Sequence, residues 1–264
     1  MKFGLVLDQN KKEAVNLSAK IEDFIISRGH EVFRDDGKFK EADLVIVLGG
    51  DGLLLHSACE HVKLNIPFVG INVGKLGFLT AAEVTDWKEA IEKLIKGEYV
   101  VSERMTLEVV VEPKTVFRAL NEAVVKSAYR VVDLEIAVKG QRFLTISGDG
   151  VIIATQTGST AYSLSAGGPI VDPDVDCFLV TPINAHGLPI PSVVLSPNDF
   201  IEVKIKQGED VFLVIDGQEH QKVTEGQNIK VEKGKYRVKF VYFDKYHFFK
   251  SLNAKFGLGA RALG

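Results

Sequence analysis

Asp43-Leu44-Val45-Ile46-Val47-Leu48-Gly49-Gly50-Asp51-Gly52 runs five aliphatic residues straight into a glycine-rich turn. An unbroken apolar run of that length, with no polar alternation, predicts a strand buried on both faces, as in a parallel sheet. Leu53–His61 then suits a helix. Outward from this stretch the pattern repeats. Phe3–Leu7 is a short apolar strand. Asn10 to Gly29 reads as a helix, with Asn10 as N-cap, Glu13 at the third helical position, Gly29 as stop, and Leu17, Ile21, Phe24 and Ile25 on one stripe. Ile66–Val73 is a strand broken by Gly70. Asp86–Lys96 is a helix with Trp87, Ile91, Leu94 and Ile95 on one side and Gly97 at its end. Strands alternating with helices imply a parallel sheet with crossover helices.

The pattern changes near residue 100. Leu107–Val111, Asp133–Val138, Phe143–Ile146, Gly150–Ala154, Phe200–Ile205, Phe212–Ile215 and Tyr236–Val241 read as strands, with Lys139-Gly140-Gln141 as a hairpin turn. The tail Lys245–Leu263 carries Phe248, Phe249, Leu252 and Phe256 at helical spacing, as if to pack on the first domain. The expected domains are 1–100 (α/β), 101–244 (β-rich) and 245–264 (the returning tail).

Lys and Arg number 32 against 35 Asp and Glu, so no global basic field draws the chain to nucleic acid or a membrane. No apolar run approaches the ~18 residues that span a bilayer. Five uncharged residues between Lys2 and Asp8 are too few for a signal-peptide core. Cys59 and Cys177 are far apart and make neither a disulfide framework nor a CxxC site. A cytoplasmic protein is expected.

The chemistry concentrates in a few places. Gly49, Gly50 and Gly52 follow a buried strand and precede a helix, where ligands of open α/β sheets bind. Glycines permit φ > 0 and close approach of phosphate, and a helix N-terminus adds positive potential. No Gly-Lys-Ser/Thr follows, so this is not a Walker loop, and it is not GxGxxG. Asp51 would repel a bare phosphate; it is suited to a metal ion or to work as a base, or else it is a turn residue capping the helix.

Gly148-Asp149-Gly150 leads through an apolar strand into Thr155-Gln156-Thr157-Gly158-Ser159-Thr160-Ala161-Tyr162-Ser163-Leu164-Ser165-Ala166-Gly167-Gly168-Pro169-Ile170. Hydroxyls and N–H groups there can hold ribose, amide or phosphate oxygens, and Tyr162 can stack. Asn121-Glu122 interrupts a strand-like run from Val116 to Val125, and a Glu there needs a partner, a ligand or an outward face. Asp216-Gly217-Gln218 alone is a hairpin turn. The six histidines form no HExxH or His/Cys set, so zinc is not expected. No GxSxG is present. Lys233–Lys239 reads as a solvated strand face.

Together, Gly49–Gly52, Asn72–Thr80, Asn121-Glu122, Gly148–Ile170 and Asp216–Gln218 resemble the NAD kinase family, within the wider group of GGDG-loop kinases that includes phosphofructokinases and diacylglycerol kinases. The motifs fall in family order across nearly the whole chain. The resemblance implies a Rossmann-like α/β N-terminal domain and a β-rich C-terminal domain, with NAD in the cleft between them. The expected reaction moves the γ-phosphoryl group of ATP to the 2′-hydroxyl of the adenosine ribose of NAD, giving NADP. Asp51 would be the catalytic carboxylate and a candidate metal contact. Gly49, Gly50 and Gly52 would meet ATP phosphates. Asn121 and Glu122 would contact the NAD nucleoside. Asp149, Thr160, Ala161, Tyr162 and Ser165 would line the dinucleotide site, partly across a subunit interface, and Phe78 would pack near the adenine. The resemblance also implies a divalent metal, Mg²⁺ by preference, and a homodimer or homotetramer.

The chain departs from the family at Leu53 (Thr is usual), Ser147 (often basic), Gln156 (Pro is usual) and Ala185-His186-Gly187-Leu188 (commonly Pro-His-Ser-Leu). These bear on donor preference and product affinity. Two other readings stand beside the kinase of NAD: a lipid or sugar kinase sharing only the glycine loop, and a non-catalytic dinucleotide-binding regulator.

Overall fold

The computed structural model describes residues 1–34, 39–74, 77–111, 115–187 and 189–257. Lys75 and Leu76 of the Asn72–Thr80 motif, Leu188, and the tail beyond Gly257 lie outside them. The chain forms two compact units. One comprises Met1–Glu103 and the chain from Val238 onward, the other Arg104–Arg237.

The first unit opens with β1 (Lys2–Leu7), α1 (Lys12–Ser27), β2 (Glu31–Arg34), β3 (Leu44–Gly49), α2 (Asp51–Glu60), β4 (Pro67–Asn72), β5 (Ala82–Glu83) and α3 (Trp87–Lys96). The strands are parallel in the order β2-β1-β3-β4, with β5 beside the end of β4 on the side away from β3. Every residue of β3 is buried, as its unbroken apolar run predicts. The core joins Phe3, Leu5, Ile46 and Ile71 to Leu17, Ile21 and Ile25 of α1 and to Ile91 and Leu94 of α3. The chain runs from β1 out to β2 on one side and returns from β2 to β3 on the other side of β1. The switch point of the sheet therefore lies at the carboxyl ends of β1 and β3, and Gly49–Gly52 sits on it.

Two local expectations are corrected. Asn10 does not cap α1. Lys11 holds the cap position without a side-chain hydrogen bond, because Asp8 has already closed a turn on the Asn10 N–H (3.1 Å). Gly70 does not break β4. A Cβ there would come within 2.8 Å of both Leu54 and Thr80, so the glycine lets α2 and the following loop press onto the strand. Gly29 does end α1, at φ 80°, with its N–H on Ile26 and that of His30 on Ile25.

The second unit holds β6 (Val100–Val111, entering from the first), β7 (Thr115–Ala119), β8 (Glu122–Ser127), β9 (Val132–Val138), β10 (Gln141–Gly148), β11 (Gly150–Thr155), α4 (Tyr162–Ser165), β12 (Phe178–Ile183), β13 (Val193–Leu195), β14 (Phe200–Gln207), β15 (Val211–Ile215), β16 (Glu219–Val223) and β17 (Asn228–Tyr242). One antiparallel sheet has the order β13-β12-β11-β8-β15-β16. In the other, β10-β9-β14-β17 are antiparallel neighbours. A single core draws on both: Leu134, Ile136, Ile201 and Val203 meet Val125, Val151, Ile153 and Leu213. Alternate residues Val124, Ile152 and Ala154 face the opposite way and pack with Cys177 and Leu179, so β8 and β11 are covered on both faces. Lys139 and Gly140 take φ 53° and 76° in the two-residue turn that joins Val138 to Gln141, as the sequence predicts. The expected run Val116–Val125 divides at Leu120-Asn121, with Glu122 opening a strand of the other sheet.

The last five residues of β17 belong to the first unit, where Lys239 and Phe240 pair in parallel with Pro67 and Phe68. The expected boundary at 244 therefore differs from the observed one at 237/238. It falls inside an unbroken strand, where no turn signals it. The tail then forms α5 (His247–Phe256). Its expected apolar stripe is corrected: Ser251 and Leu252 are buried, whereas Phe249 and Phe256 stay about half exposed.

Candidate active site

Asp51 is the first residue of α2. Its Oδ2 accepts the Phe78 N–H at 2.5 Å, and its Oδ1 accepts those of Leu79 and Thr80 at 3.1 Å each. The carboxylate thus anchors the loop that follows β4. Gly77 makes this approach feasible, since a Cβ there would stand 1.9 Å from Asp51 Oδ1. The neighbouring glycines act differently from expectation. None of Gly49, Gly50 and Gly52 has positive φ; Gly50 is extended (φ −98°) at the N-cap position. Gly50 and Gly52 have open space where a Cβ would be, and a Cβ on Gly49 would meet Leu53 at 2.8 Å. Leu53, standing where the family has Thr, therefore packs on the strand end.

Phe78 is held from the tail. The His247 Nε2 donates to the Phe78 carbonyl at 3.2 Å, the Lys255 ammonium lies 3.9 Å from the ring centroid, and the Phe256 ring lies 5.8 Å away. His247 is itself stacked on Tyr242 at 4.4 Å.

In the second unit, Asn121 and Glu122 sit at the break between β7 and β8. Asp216 accepts the N–H groups of Leu120 (2.8 Å), Asn121 (2.8 Å) and Glu122 (2.9 Å). Glu122 is buried, and its Oε2 has no hydrogen-bond partner among the described residues. Burial, reinforced by the facing Asp216 charge, pushes the Glu122 carboxyl up to about 8.

Asp149 accepts a hydrogen bond from Asn184 Nδ2 at 2.7 Å. The hydroxyl-rich tract divides by role. Thr155, Ser159 and Ser163 are internal struts: Ser159 Oγ receives the Val171 N–H, and Ser163 Oγ contacts Thr181 Oγ1 at 3.0 Å. Thr160, Ala161, Tyr162 and Ser165 remain accessible, and the Lys126 ammonium lies 6.0 Å from the Tyr162 ring centroid. Gln156 donates to Asp176, which also receives Arg237 at 2.6 and 3.1 Å and Lys233 at 3.0 Å. Lys233 and Arg237 are thus engaged on a strand face expected to be merely solvated.

Sequence reasoning missed the anchoring roles of Asp216, Thr155 and His247. The Asp-Gly signal at 216 points to a turn, and nothing local announces what its carboxylate reaches. No group of three or more His, Cys, Asp or Glu among the described residues is placed to hold a metal ion. Cys59 and Cys177 are not joined in a disulfide.

A glycine–carboxylate loop at the switch point of a parallel sheet, with a strand-to-hydroxyl motif in a second unit, defines a nucleotide-handling α/β protein. Residues 37–99 match the model of the ATP-NAD kinase N-terminal domain, and residues 120–243 that of the ATP-NAD kinase C-terminal domain. An NAD kinase of Clostridium botulinum (strain Kyoto / Type A2) is 41% identical over 249 residues, 92% of this chain and 87% of that one. An NAD kinase of Geotalea daltonii is 39% identical over 246 residues, 89% of this chain and 85% of that one. The fold is similar to that of an Archaeoglobus fulgidus NAD kinase in complex with ATP (TM-score 0.77, 28% identity, 96% and 99% of the two chains). It is also similar to that of a yeast NADH kinase complexed with NADH (TM-score 0.86, 22% identity, 98% and 88%). The chain belongs to the NAD kinase family.

Proposed function

We propose that the protein is an ATP-dependent NAD kinase, transferring the γ-phosphoryl group of ATP to the 2′-hydroxyl of the adenosine ribose of NAD. The observation that carries this reading is the presence of both family domains, in order, on one chain.

The Asp51 geometry supports the chemistry of this reading. An ionised carboxylate offers about four lone-pair sites. Phe78, Leu79 and Thr80 occupy three, which fixes the carboxylate and leaves a site for a ribose hydroxyl. As that hydroxyl attacks phosphorus, Asp51 takes its proton. Gly50 and Gly52, with open space where a Cβ would be, leave the α2 N-terminus open to the phosphates of ATP, and Gly49 stands beside them at the strand end. Asn121 and Glu122 meet the NAD nucleoside; Glu122, protonated at neutral pH, donates a hydrogen bond as well as accepting one. Asp149, Thr160, Ala161, Tyr162 and Ser165 line the remainder of the NAD site, and Phe78 packs near the adenine.

The residues present do not fit a metal ion held by the protein itself: the Asp51 oxygens already take N–H groups, and no acidic cluster accompanies them among the described residues. Mg²⁺ in this reading arrives as part of the ATP complex. Self-association, as a homodimer or homotetramer, is supported by the short edge strand β13, whose Val194 is 54% exposed. Cytoplasmic placement is part of the same reading; no helix among the described residues is long and apolar enough to cross a membrane.

The test is incubation of purified protein with NAD, ATP and Mg²⁺. NADP is the expected product. No NADP, with glucose, fructose 6-phosphate or diacylglycerol phosphorylated instead, rejects the reading. Sedimentation of a fully active 29.0 kDa monomer rejects the shared-subunit site.

A further inference from the structure

Asp216 and Gly217 take φ 47° and 69° in the turn between β15 and β16. That turn requires only tolerance of positive φ, which Asn or Gly would supply equally. It does not require a carboxylate that reaches three consecutive N–H groups more than ninety residues earlier in the chain. Those N–H groups belong to the break between β7 and β8. Its carbonyls are held by another residue. Thr155 Oγ1 donates to the Leu120 carbonyl at 2.5 Å, and the Thr155 N–H donates to that of Asn121 at 2.8 Å. The same hydroxyl accepts the N–H groups of Thr157 and Gly158, so the break and the hydroxyl-rich tract share one frame. Gly158 lies so close that a Cβ would stand 2.2 Å from the Asn121 carbonyl oxygen.

We propose that Asp216 is a positioning residue for NAD: its carboxylate locks the Leu120–Glu122 backbone in the conformation that presents the Asn121 and Glu122 side chains together. This rests on the reading that the pair meets NAD. A charged acceptor is needed for two reasons. Hydrogen bonds to an ionised group are about twice as strong as neutral ones. An Asn at 216 would keep one acceptor oxygen and turn an NH₂ group toward backbone donors.

The experiment measures NAD and ATP affinities by calorimetry, with thermal unfolding, for the wild-type full chain, Asp216→Asn, Asp216→Glu, Asn121→Ala and the double variant Asp216→Asn/Asn121→Ala. Asp216→Asn is expected to weaken NAD binding roughly 10–100-fold and leave ATP within about twofold. Asp216→Glu keeps the charge but displaces it by a methylene, so it shows a smaller loss with the same selectivity; it gives the answer should the Asn variant not fold. Because Asp216 acts through the pair, the double variant binds NAD little worse than Asn121→Ala alone. Equal weakening of NAD and ATP, or losses that multiply in the double variant, overturn the positioning role. Weak NAD binding in Asn121→Ala beside unchanged binding in both Asp216 variants overturns it too, and leaves the pair's own role intact. Unchanged NAD binding in Asn121→Ala instead overturns the reading of the pair.

Discussion

Asp51 and Asp216 make the same contact in two different settings. Each follows a strand, each stands next to glycine, and each carboxylate accepts three consecutive N–H groups from a distant segment. Asp51 opens a helix at the switch point of a parallel sheet, where the helix terminus favours its charge. Asp216 sits in a positive-φ turn and faces a buried carboxyl, whose ionisation it opposes. Under the kinase reading proposed above, Asp51 acts on the substrate, and Asp216 holds the residues that meet it. A motif search weighs both alike, whereas the surroundings separate chemistry from support.

The widest separation should come from Asp51→Asn. Loss of general-base action is worth ~10²–10⁴ in rate, or about 3–5 kcal/mol of barrier. The fall should appear in kcat. The same change also sets an NH₂ group against the N–H groups of residues 78–80, so the loop loosens with it. Near wild-type kcat in a folded Asp51→Asn variant would erase the distinction between the two aspartates.

Next comes Glu122, which reports the Asp216 side. Its folded pKa is raised from 4.5 to about 8, so between those values the native state binds more protons than the unfolded chain. The associated stability is fully present below about pH 4.5 and is lost as pH rises through about 8. At about 1.36 kcal/mol per pH unit the loss across the window is a few kcal/mol. Urea titrations at a series of pH values should show this slope in the wild type and not in Glu122→Gln. Asp216→Asn should lower the upper end of the window, because it removes the facing charge. A wild-type profile as flat as that of Glu122→Gln would mean that Glu122 is ionised at neutral pH.

Gly77→Ala sharpens the Asp51 side. The added methyl collides with the carboxylate rather than removing it, and overpacking of this kind costs about 1–3 kcal/mol. Turnover should drop with the charge intact. Unchanged turnover would show that Asp51 works without its loop. The smallest effect belongs to His247→Phe, which keeps the stack on Tyr242 and removes the donor to the Phe78 carbonyl. A loss of about 1 kcal/mol in stability is expected, readable as a lower urea midpoint at unchanged slope.

How much of this was legible depended on whether the signal was local. Leu44–Leu48 declares its strand because burial on both faces leaves no polar position. Lys139-Gly140 declares its hairpin through Gly140, which supplies a positive φ at no steric cost. The motif positions Asp51, Asn121 and Glu122 could be quoted from the sequence. Their partners could not, because Phe78–Thr80 and Asp216 reach them through folding over 27–29 and 94–96 residues. The strand Asn228–Tyr242 hid a boundary for the opposite reason: it runs from one unit into the next with no turn between them.

That last feature has a meaning in time as well as in space. The first unit is written in two instalments, and its second begins only at Val238. At about 5–20 residues per second, roughly 7–27 s of synthesis separate Glu103 from Val238. Throughout that interval β4 lacks Lys239 and Phe240 on its edge, and Phe78 lacks His247, Lys255 and Phe256. An uncovered edge is an invitation to wrong pairing, so a nascent chain stalled before residue 238 is the species most in need of a chaperone. The loop that anchors on Asp51 gains its outer support only with α5, so a ribosome-bound chain cannot set this part of the candidate site before that helix emerges.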